Sequence, residues 1–283
     1  MGWNEIVMLL IDKGSDVNLE DGNGWSPLHT ATNSGRNEII QLLIDSGALV
    51  DEPDSTGWSP LTYAIDCGWK EIVMLLIEKG TDVNLEDGNG WSPLHTAITS
   101  GINEIIQFLI DSGALVNKLD STGWSPLTSA ANNGWSDIVR LLIEEGANVN
   151  FEDGNGRLPL QEAIGKKRND IAKFLISHGA NVNELYNTGW TPLTFAIFRD
   201  LNEVAVLLIE NGANVNGADI SGFTPLHVAI VKDNTTLIHL LLKVGAKISL
   251  MVMDDFRKNA LEFSLKRLKT FKMILFQSEH SKQ

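Results

Sequence analysis

Seven prolines recur at a fixed interval of 33 residues, and this period constrains the fold more than any other feature of the sequence. A glycine stands three residues before each of them. Seven copies in one register indicate an array of similar units, each too small to bury its own apolar surface without stacking on its neighbours. The prolines are Pro27, Pro60, Pro93, Pro126, Pro159, Pro192 and Pro225.

Each period contains the signals for two short helices. Ser26 is a good N-cap, Pro27 suits the first helical position, and Gly35 ends the predicted first helix. A second helix is predicted over residues 37–47, because its apolar residues are closed by a glycine that suits a left-handed helix end. The segment 17–24 has turn chemistry with a β-branched start, which predicts a hairpin finger between helix pairs.

The motif around each proline is Gly, an aromatic residue, Ser or Thr, Pro, Leu, His or Thr, any residue and Ala, as in residues 24–31. It resembles the ankyrin repeat, whose 33-residue unit carries Thr-Pro-Leu-His-x-Ala. The resemblance covers residues 2 to about 249 and implies an all-α ankyrin-repeat solenoid with short β-hairpin fingers. It divides the chain into a partial repeat holding only a second helix, seven full repeats and a degenerate capping repeat: 1–18; 19–51, 52–84, 85–117, 118–150, 151–183, 184–216 and 217–249; and 250–283.

A second period lies over the first. Residues 2–31 match residues 68–97 at 27 of 30 positions, which indicates duplication of a two-repeat block. By this alignment the chain begins with a second helix, and Ile6 and Leu9 are of interior type where a terminal repeat normally has a polar face. The pattern predicts a fragment of a longer protein or a truncated gene product.

The register fails after residue 249, and residues 250–283 are interpreted as a capping repeat, since terminal repeats are normally atypical. An alternative interpretation is a recruitment box. Residues 264–268, Ser-Leu-Lys-Arg-Leu, resemble the start of a suppressor-of-cytokine-signalling box, with Lys269 where that family usually has Cys. Such a box implies a substrate-recognition adaptor of a ubiquitin ligase.

Charge restricts the class of partner. The chain has 22 Lys and Arg against 36 Asp and Glu, a net charge of −14, which argues against nucleic-acid binding because phosphate recognition needs a basic surface. Residues 1–150 hold 6 of these basic residues and 22 of the acidic ones. This half is expected to attract a protein with a basic segment, or its charge serves only solubility.

The single Cys67 cannot form an internal disulfide, which favours a reducing compartment. The apolar stretch 6–11 is too short for a membrane span and lacks the basic flank of a signal peptide. We expect the protein to be a monomer that binds neither membrane nor nucleic acid. We expect it in the cytoplasm, and the nucleus is an alternative location.

No catalytic, metal or cofactor site is predicted, so we expect that the protein is not an enzyme. His29, His95 and His227 lie in the repeat motif, where we expect them to form hydrogen bonds at helix starts. Cys67 has no histidine at a recognisable spacing. The acids that recur in the fingers are expected to be structural, because Asp accepts the N–H groups of a turn.

A row of aromatic residues follows the finger glycines. The resemblance implies that fingers and first helices form the concave recognition surface, and Trp is favoured at binding hot spots. Alternatively, each ring packs its own finger against the next; we expect mainly packing, with one edge of the ring facing the groove. The row is Trp25, Trp58, Trp91, Trp124 and Trp190, with Arg157 and Phe223 in two repeats.

Two repeats depart from the pattern at turns that are expected to be exposed. These departures mark either a specific contact or relaxed sequence drift. The further candidate contacts are Arg157, Lys166, Lys167 and Arg168 in one repeat and Tyr186, Phe198 and Arg199 in the next. The sequence as a whole predicts a non-catalytic protein–protein interaction scaffold; the alternatives are the ubiquitin-ligase adaptor and a fragment of a larger secreted or host-directed ankyrin effector.

Overall fold

The computed structural model describes residues 2–247, and these contain helices and turns but no β-strand. The chain divides into two compact units, Met1–Asn155 and Gly156–Gln283, called here the N-terminal and C-terminal units. The N-terminal unit contains α1 (Trp3–Asp12), α2 (Pro27–Asn33), α3 (Asn37–Asp45), α4 (Pro60–Asp66), α5 (Lys70–Glu78), α6 (Pro93–Ser100), α7 (Asn103–Asp111), α8 (Pro126–Asn133) and α9 (Ser136–Glu144). The C-terminal unit contains α10 (Pro159–Gly165), α11 (Asn169–Ser177), α12 (Pro192–Phe198), α13 (Asn202–Glu210), α14 (Pro225–Val231) and α15 (Thr235–Lys243).

The prolines of the 33-residue period begin every even-numbered helix, as the sequence predicts. The residue before the proline is the N-cap: Ser125 Oγ accepts the N–H of Thr128 at 3.1 Å. Leu158 cannot act in this way, yet α10 still begins at Pro159. Proline in the first turn, where an N–H needs no helical partner, is therefore sufficient to start the helix in this packed context.

Each unit consists of two layers of stacked helices. In the N-terminal unit α2, α4, α6 and α8 pack in series, as do α1, α3, α5, α7 and α9. In the C-terminal unit α10, α12 and α14 pack in series, and α11 packs on α13. The core lies between the layers, where Leu61, Ile65, Ile72 and Leu76 are at most 1% exposed.

The fingers fold as tight turns rather than strands. In the first finger the N–H of Asp21 donates to the Trp25 carbonyl at 3.0 Å, and the N–H of Gly24 donates to the Asp21 carbonyl at 3.0 Å. Each finger is thus closed by its own backbone. The expected hairpins are therefore present as turns, without a β-ladder in residues 2–247.

Asparagine side chains connect neighbouring repeats. Asn84 Nδ2 donates to the Gly113 carbonyl at 3.1 Å, and Asn84 Oδ1 accepts the N–H of Leu115 at 3.0 Å. Asn18, Asn183 and Asn216 make the same pair of bonds to the following repeat. Asp51 occupies the equivalent position and accepts the N–H of Asp82, but it has no N–H to donate to the next carbonyl.

The second-helix tryptophans pack on the glycines that end first helices. A Cβ built on Gly35, which has a φ of +67°, would lie 3.2 Å from the Trp69 ring, and Gly101 is approached by Trp135 in the same way. A side chain at either glycine would therefore displace the ring. These tryptophans serve inter-repeat packing, in line with their position between the two helices.

The duplicated blocks have different surroundings. Leu76 of α5 is 0% exposed beneath α4, whereas its counterpart Leu10 of α1 is 52% exposed. The same sequence is therefore core in one copy and surface in the other. The predicted capping repeat 250–283 and the alternative box at 264–268 lie outside the described residues.

Candidate partner-binding surface

Within each unit, finger turns and the exposed sides of even-numbered helices line a groove, and these faces of the two units are called the finger surface. Finger aspartates fix the turns: Asp87 Oδ1 accepts the N–H of Asn89 at 2.8 Å and of Trp91 at 2.9 Å. This confirms the structural role expected for the recurring acids. The finger positions concerned are Asp21, Asp54, Asp87, Asp120, Asp153, Tyr186 and Asp219.

The tryptophan row is partly buried at every member, Trp25, Trp58, Trp91, Trp124 and Trp190. Tyr63 of α4 fills the space between the first two rings, with ring centroids 5.0 Å from Trp25 and 5.1 Å from Trp58. Edge contacts of this kind stabilise an aromatic cluster beyond the area that it buries. The first two rings of the row therefore pack against Tyr63 of α4.

A hydrogen bond holds Tyr63 in this cluster. Its hydroxyl donates to Asp54 Oδ2 at 2.6 Å, while Asp54 Oδ1 accepts the N–H groups of Thr56 and Trp58 and the Thr56 hydroxyl. Burial alone would raise the pKa of Asp54, but these donors outweigh it and lower the pKa to about 2. Burial and the ionised Asp54 raise the pKa of Tyr63 to about 12.

One repeat further on, an open groove separates Trp58 from Trp91. Thr96 stands at the position of Tyr63, and the groove has a volume of about 770 Å³. Asp66 and Asp87 contribute carboxylates to its lining. The side chain that fills the space in the preceding repeat is thus replaced here by one too small to reach across it. The remaining lining residues are Gly88, Asn89, Gly90, Thr99, Ser100, Ser121 and Thr122.

The basic turn of the C-terminal unit lies at the surface. Lys166, Lys167 and Arg168 are exposed, and Lys167 has a φ of +57° where the repeats of the N-terminal unit have glycine. Arg157, the substitute for a row tryptophan, is partly buried with Nε 3.9 Å from Glu162. The turn therefore carries an exposed positive patch, and at Lys167 alone of these three residues the backbone is left-handed, a conformation that disfavours a residue with a Cβ.

A second groove in the C-terminal unit is aromatic and apolar. Trp190 and Phe198 have centroids 4.9 Å apart, and Lys232 Nζ lies 5.3 Å from the Phe198 ring while pairing with Asp200 at 2.9 Å. The groove has a volume of about 310 Å³. Ile220 and Val231 also line it, and neither they nor Lys232 follow from the sequence pattern. The Arg199 guanidinium, by contrast, donates to the Gly165 carbonyl at the end of α10.

Tyr186 requires a correction. The sequence places it at an exposed turn, but its side chain is 3% exposed and its ring packs edge-on against Phe195, with centroids 5.9 Å apart. A tyrosine cannot supply the carboxylate that accepts the turn N–H groups, so the backbone closes the finger alone and the ring turns inward. Tyr186 is therefore not available to a partner.

The histidines of the motif are structural, as expected. His29 Nδ1 lies 2.9 Å from Ser26 Oγ and Nε2 lies 3.1 Å from the Trp58 carbonyl. Burial lowers the pKa of His29 and of His95, which keeps both neutral at physiological pH. Burial and the charge of Asp66 raise the pKa of Cys67, so its thiol is a poor nucleophile.

The described residues hold no group of three metal-ligating side chains. No helix within residues 2–247 is long and apolar enough to cross a bilayer.

Comparisons with known proteins agree with this geometry. A family model described as ankyrin repeats (3 copies) matches residues 1–87, 49–120, 105–186 and 179–252. No curated protein sequence matches the chain. Among solved structures, the crystal structure of the human ASB11 ankyrin repeat domain is 28% identical, with a TM-score of 0.65, over 80% of this chain and 100% of that chain.

Proposed function

Because the chain belongs to the ankyrin-repeat family, we propose that it is a non-catalytic scaffold that binds another protein through the finger surface. Ankyrin repeats are generally protein–protein interaction modules, and their fold is typically non-catalytic. The proposal for this chain adds the surface and the class of contact. Binding is centred on the two grooves of the finger surface, one in each unit.

The observation that carries the proposal is the exposure of large apolar side chains beside the groove of the C-terminal unit. In the C-terminal unit Phe198 is 44%, Ile220 77% and Val231 56% exposed, next to the partly buried Trp190. Aromatic and aliphatic side chains that surround a groove and are rimmed by charge are typical of recognition sites. Lys232 adds a positive charge to the lining of this groove, and Lys166 and Lys167 are exposed on the turn after α10, where a partner is expected to contact them.

The groove of the N-terminal unit has the opposite character. Its carboxylates and the net excess of acids over bases in residues 1–150 favour a partner with a basic segment there. A basic segment therefore suits the groove of the N-terminal unit, and an apolar segment suits the groove of the C-terminal unit.

The experiment compares two double variants with matched exposure. Phe198→Ser with Val231→Ser removes apolar side chains from the finger surface, whereas Leu115→Ser with Val244→Ser removes side chains of 55% and 42% exposure that follow second helices. Partners are captured from a cell extract and identified by mass spectrometry, and their affinities are then measured by calorimetry. We expect the finger variant to bind at least about tenfold more weakly and the control to bind as the unmodified protein does. Equal affinities for both variants would contradict the proposed surface.

A further inference from the structure

The first two tryptophans of the row show what their intervening space accepts. Between Trp25 and Trp58 lies a flat group, the Tyr63 ring, with centroids 5.0 and 5.1 Å from the two indoles. The outer end of that group donates a hydrogen bond to Asp54 Oδ2. A planar side chain with a donor at its tip therefore fits this geometry.

The equivalent groove is lined by Trp58 and Trp91, the counterparts of Trp25 and Trp58, and contains Thr96 in place of the ring. Asp87 is the counterpart of Asp54, and its Oδ1 is used in the same way by the finger N–H groups. Asp87 Oδ2 has no donor among the described residues, although the matching oxygen of Asp54 receives the tyrosine hydroxyl. The groove between Trp58 and Trp91, called here the slot, thus has an unused acceptor, Asp87 Oδ2, where the space around Tyr63 has an acceptor that is hydrogen-bonded.

Charge decides which planar donor suits the slot. Asp66 adds an exposed carboxylate to the partly buried one of Asp87 and has no hydrogen bond or ion pair with the described residues. An arginine guanidinium is flat, stacks on indole faces, carries donors at its tip and is positively charged. Lysine lacks the flat group, and tyrosine leaves both carboxylates without a counter-charge.

We propose that the slot between Trp58 and Trp91 binds an arginine side chain from a basic segment of the partner protein. The guanidinium lies between the two indoles as the Tyr63 ring lies between Trp25 and Trp58, donates to Asp87 Oδ2 and is also attracted by Asp66 in the lining. This inference rests on the proposed function of the finger surface and specifies the residue that one of its grooves recognises.

The test uses the substitution that the chain itself suggests. Thr96→Tyr fills the slot as Tyr63 fills the preceding one, so the fold is expected to be kept. Thr30→Tyr is the control, because it places the same side chain at the same repeat position away from this groove. Melting temperature and circular dichroism establish that both variants are folded, and Asp87→Asn is a second variant that removes the charge while keeping the Oδ1 acceptor.

The probes are short glycine–serine peptides with two flanking lysines and a central arginine, citrulline, lysine or tyrosine. Binding is followed by NMR from the indole N–H signals. We expect the arginine peptide to shift the signals of Trp58 and Trp91, and its affinity to fall at least about tenfold for citrulline, Thr96→Tyr and Asp87→Asn. Thr30→Tyr is expected to bind it normally.

Three results would overturn the proposal: an arginine peptide that does not bind, equal binding by Thr96→Tyr and Thr30→Tyr, or tighter binding of the tyrosine or lysine peptide. These outcomes are distinguishable from failure of the scaffold function. A protein partner that is lost from the Phe198→Ser and Val231→Ser variant but kept by Thr96→Tyr would remove the arginine slot and leave the finger surface in place.

Discussion

Replacing Asp54 by Asn should lower the stability of the N-terminal unit in a pH-dependent way. Asp54 is 6% exposed, and its carboxylate accepts bonds from two side-chain hydroxyls and two backbone N–H groups. Its pKa falls from 3.8 to about 2. A depression of this size corresponds to about 2 kcal/mol of unfolding free energy when the carboxylate is ionised in both states.

The sign of the pH dependence follows from the depressed pKa. The stabilisation is complete above the ordinary pKa of an aspartate and is lost as the pH falls through that value toward about 2. Asp54→Asn should therefore lower the unfolding free energy by about 2 kcal/mol at neutral pH, with a smaller difference at a pH of about 3. Urea unfolding followed by tryptophan fluorescence at both pH values measures this.

Asp120→Asn is the matched control. Asp120 Oδ1 accepts the same turn bonds, from the Thr122 N–H and hydroxyl and from the Trp124 N–H, but Ser129 stands where Asp54 has Tyr63. The control should be destabilised less at neutral pH, because it has no phenol donor to lose. A destabilisation by Asp54→Asn that is equal at both pH values, or equal to that of Asp120→Asn, would refute the reasoning.

Two further substitutions should stabilise the protein. Asp51→Asn adds a donor facing the Gly80 carbonyl and removes a carboxylate whose pKa is raised by burial and by Asp82. We expect the unfolding free energy to rise by about 1 kcal/mol, and to rise more at neutral pH than below the ordinary aspartate pKa. A change in urea unfolding that does not depend on pH would contradict the charge argument. Lys167→Gly removes the strain of a side chain at a φ of +57° and should raise the unfolding free energy of the C-terminal unit by about 1 kcal/mol. Lys166→Gly is the control, because Lys166 has an ordinary negative φ, and it should give no gain. Equal effects of the two substitutions on urea unfolding would exclude backbone strain as the cause.

The repeat architecture is predictable from sequence because its signals are local. Each Pro begins a helix, each finger Asp accepts the N–H groups two and four residues on, and each motif His bonds at its own helix start. All of these interactions lie within a few residues along the chain. The 33-residue period then repeats the same helix starts and the same finger turns along the chain.

The interactions between repeats could not be predicted in the same way. Tyr63 and Thr96 occupy one repeat position, but only the stacked structure shows that this position lies between two finger tryptophans. Tyr186 and Phe195 illustrate the difficulty, because they replace the Asp54 and Tyr63 pair together and exchange a hydrogen bond for an aromatic contact. Considered alone, Tyr186 suggests an irregular and exposed finger turn. Considered together with Phe195, it is a buried ring that packs on a second aromatic residue.

The near identity of residues 2–31 and 68–97 has a consequence for folding kinetics. The two segments differ at three positions, yet one is covered on both sides and the other presents Leu10 to solvent. During folding, residues 2–31 can dock on residues 98–130 in place of their copy and make nearly the same contacts. Looping out the 66 residues between the two registers costs only about 4 kcal/mol of chain entropy beyond a constant. The duplication therefore makes a misfolded state possible in which residues 2–31 occupy the place of residues 68–97. Refolding should show a slow phase as this state converts to the native arrangement.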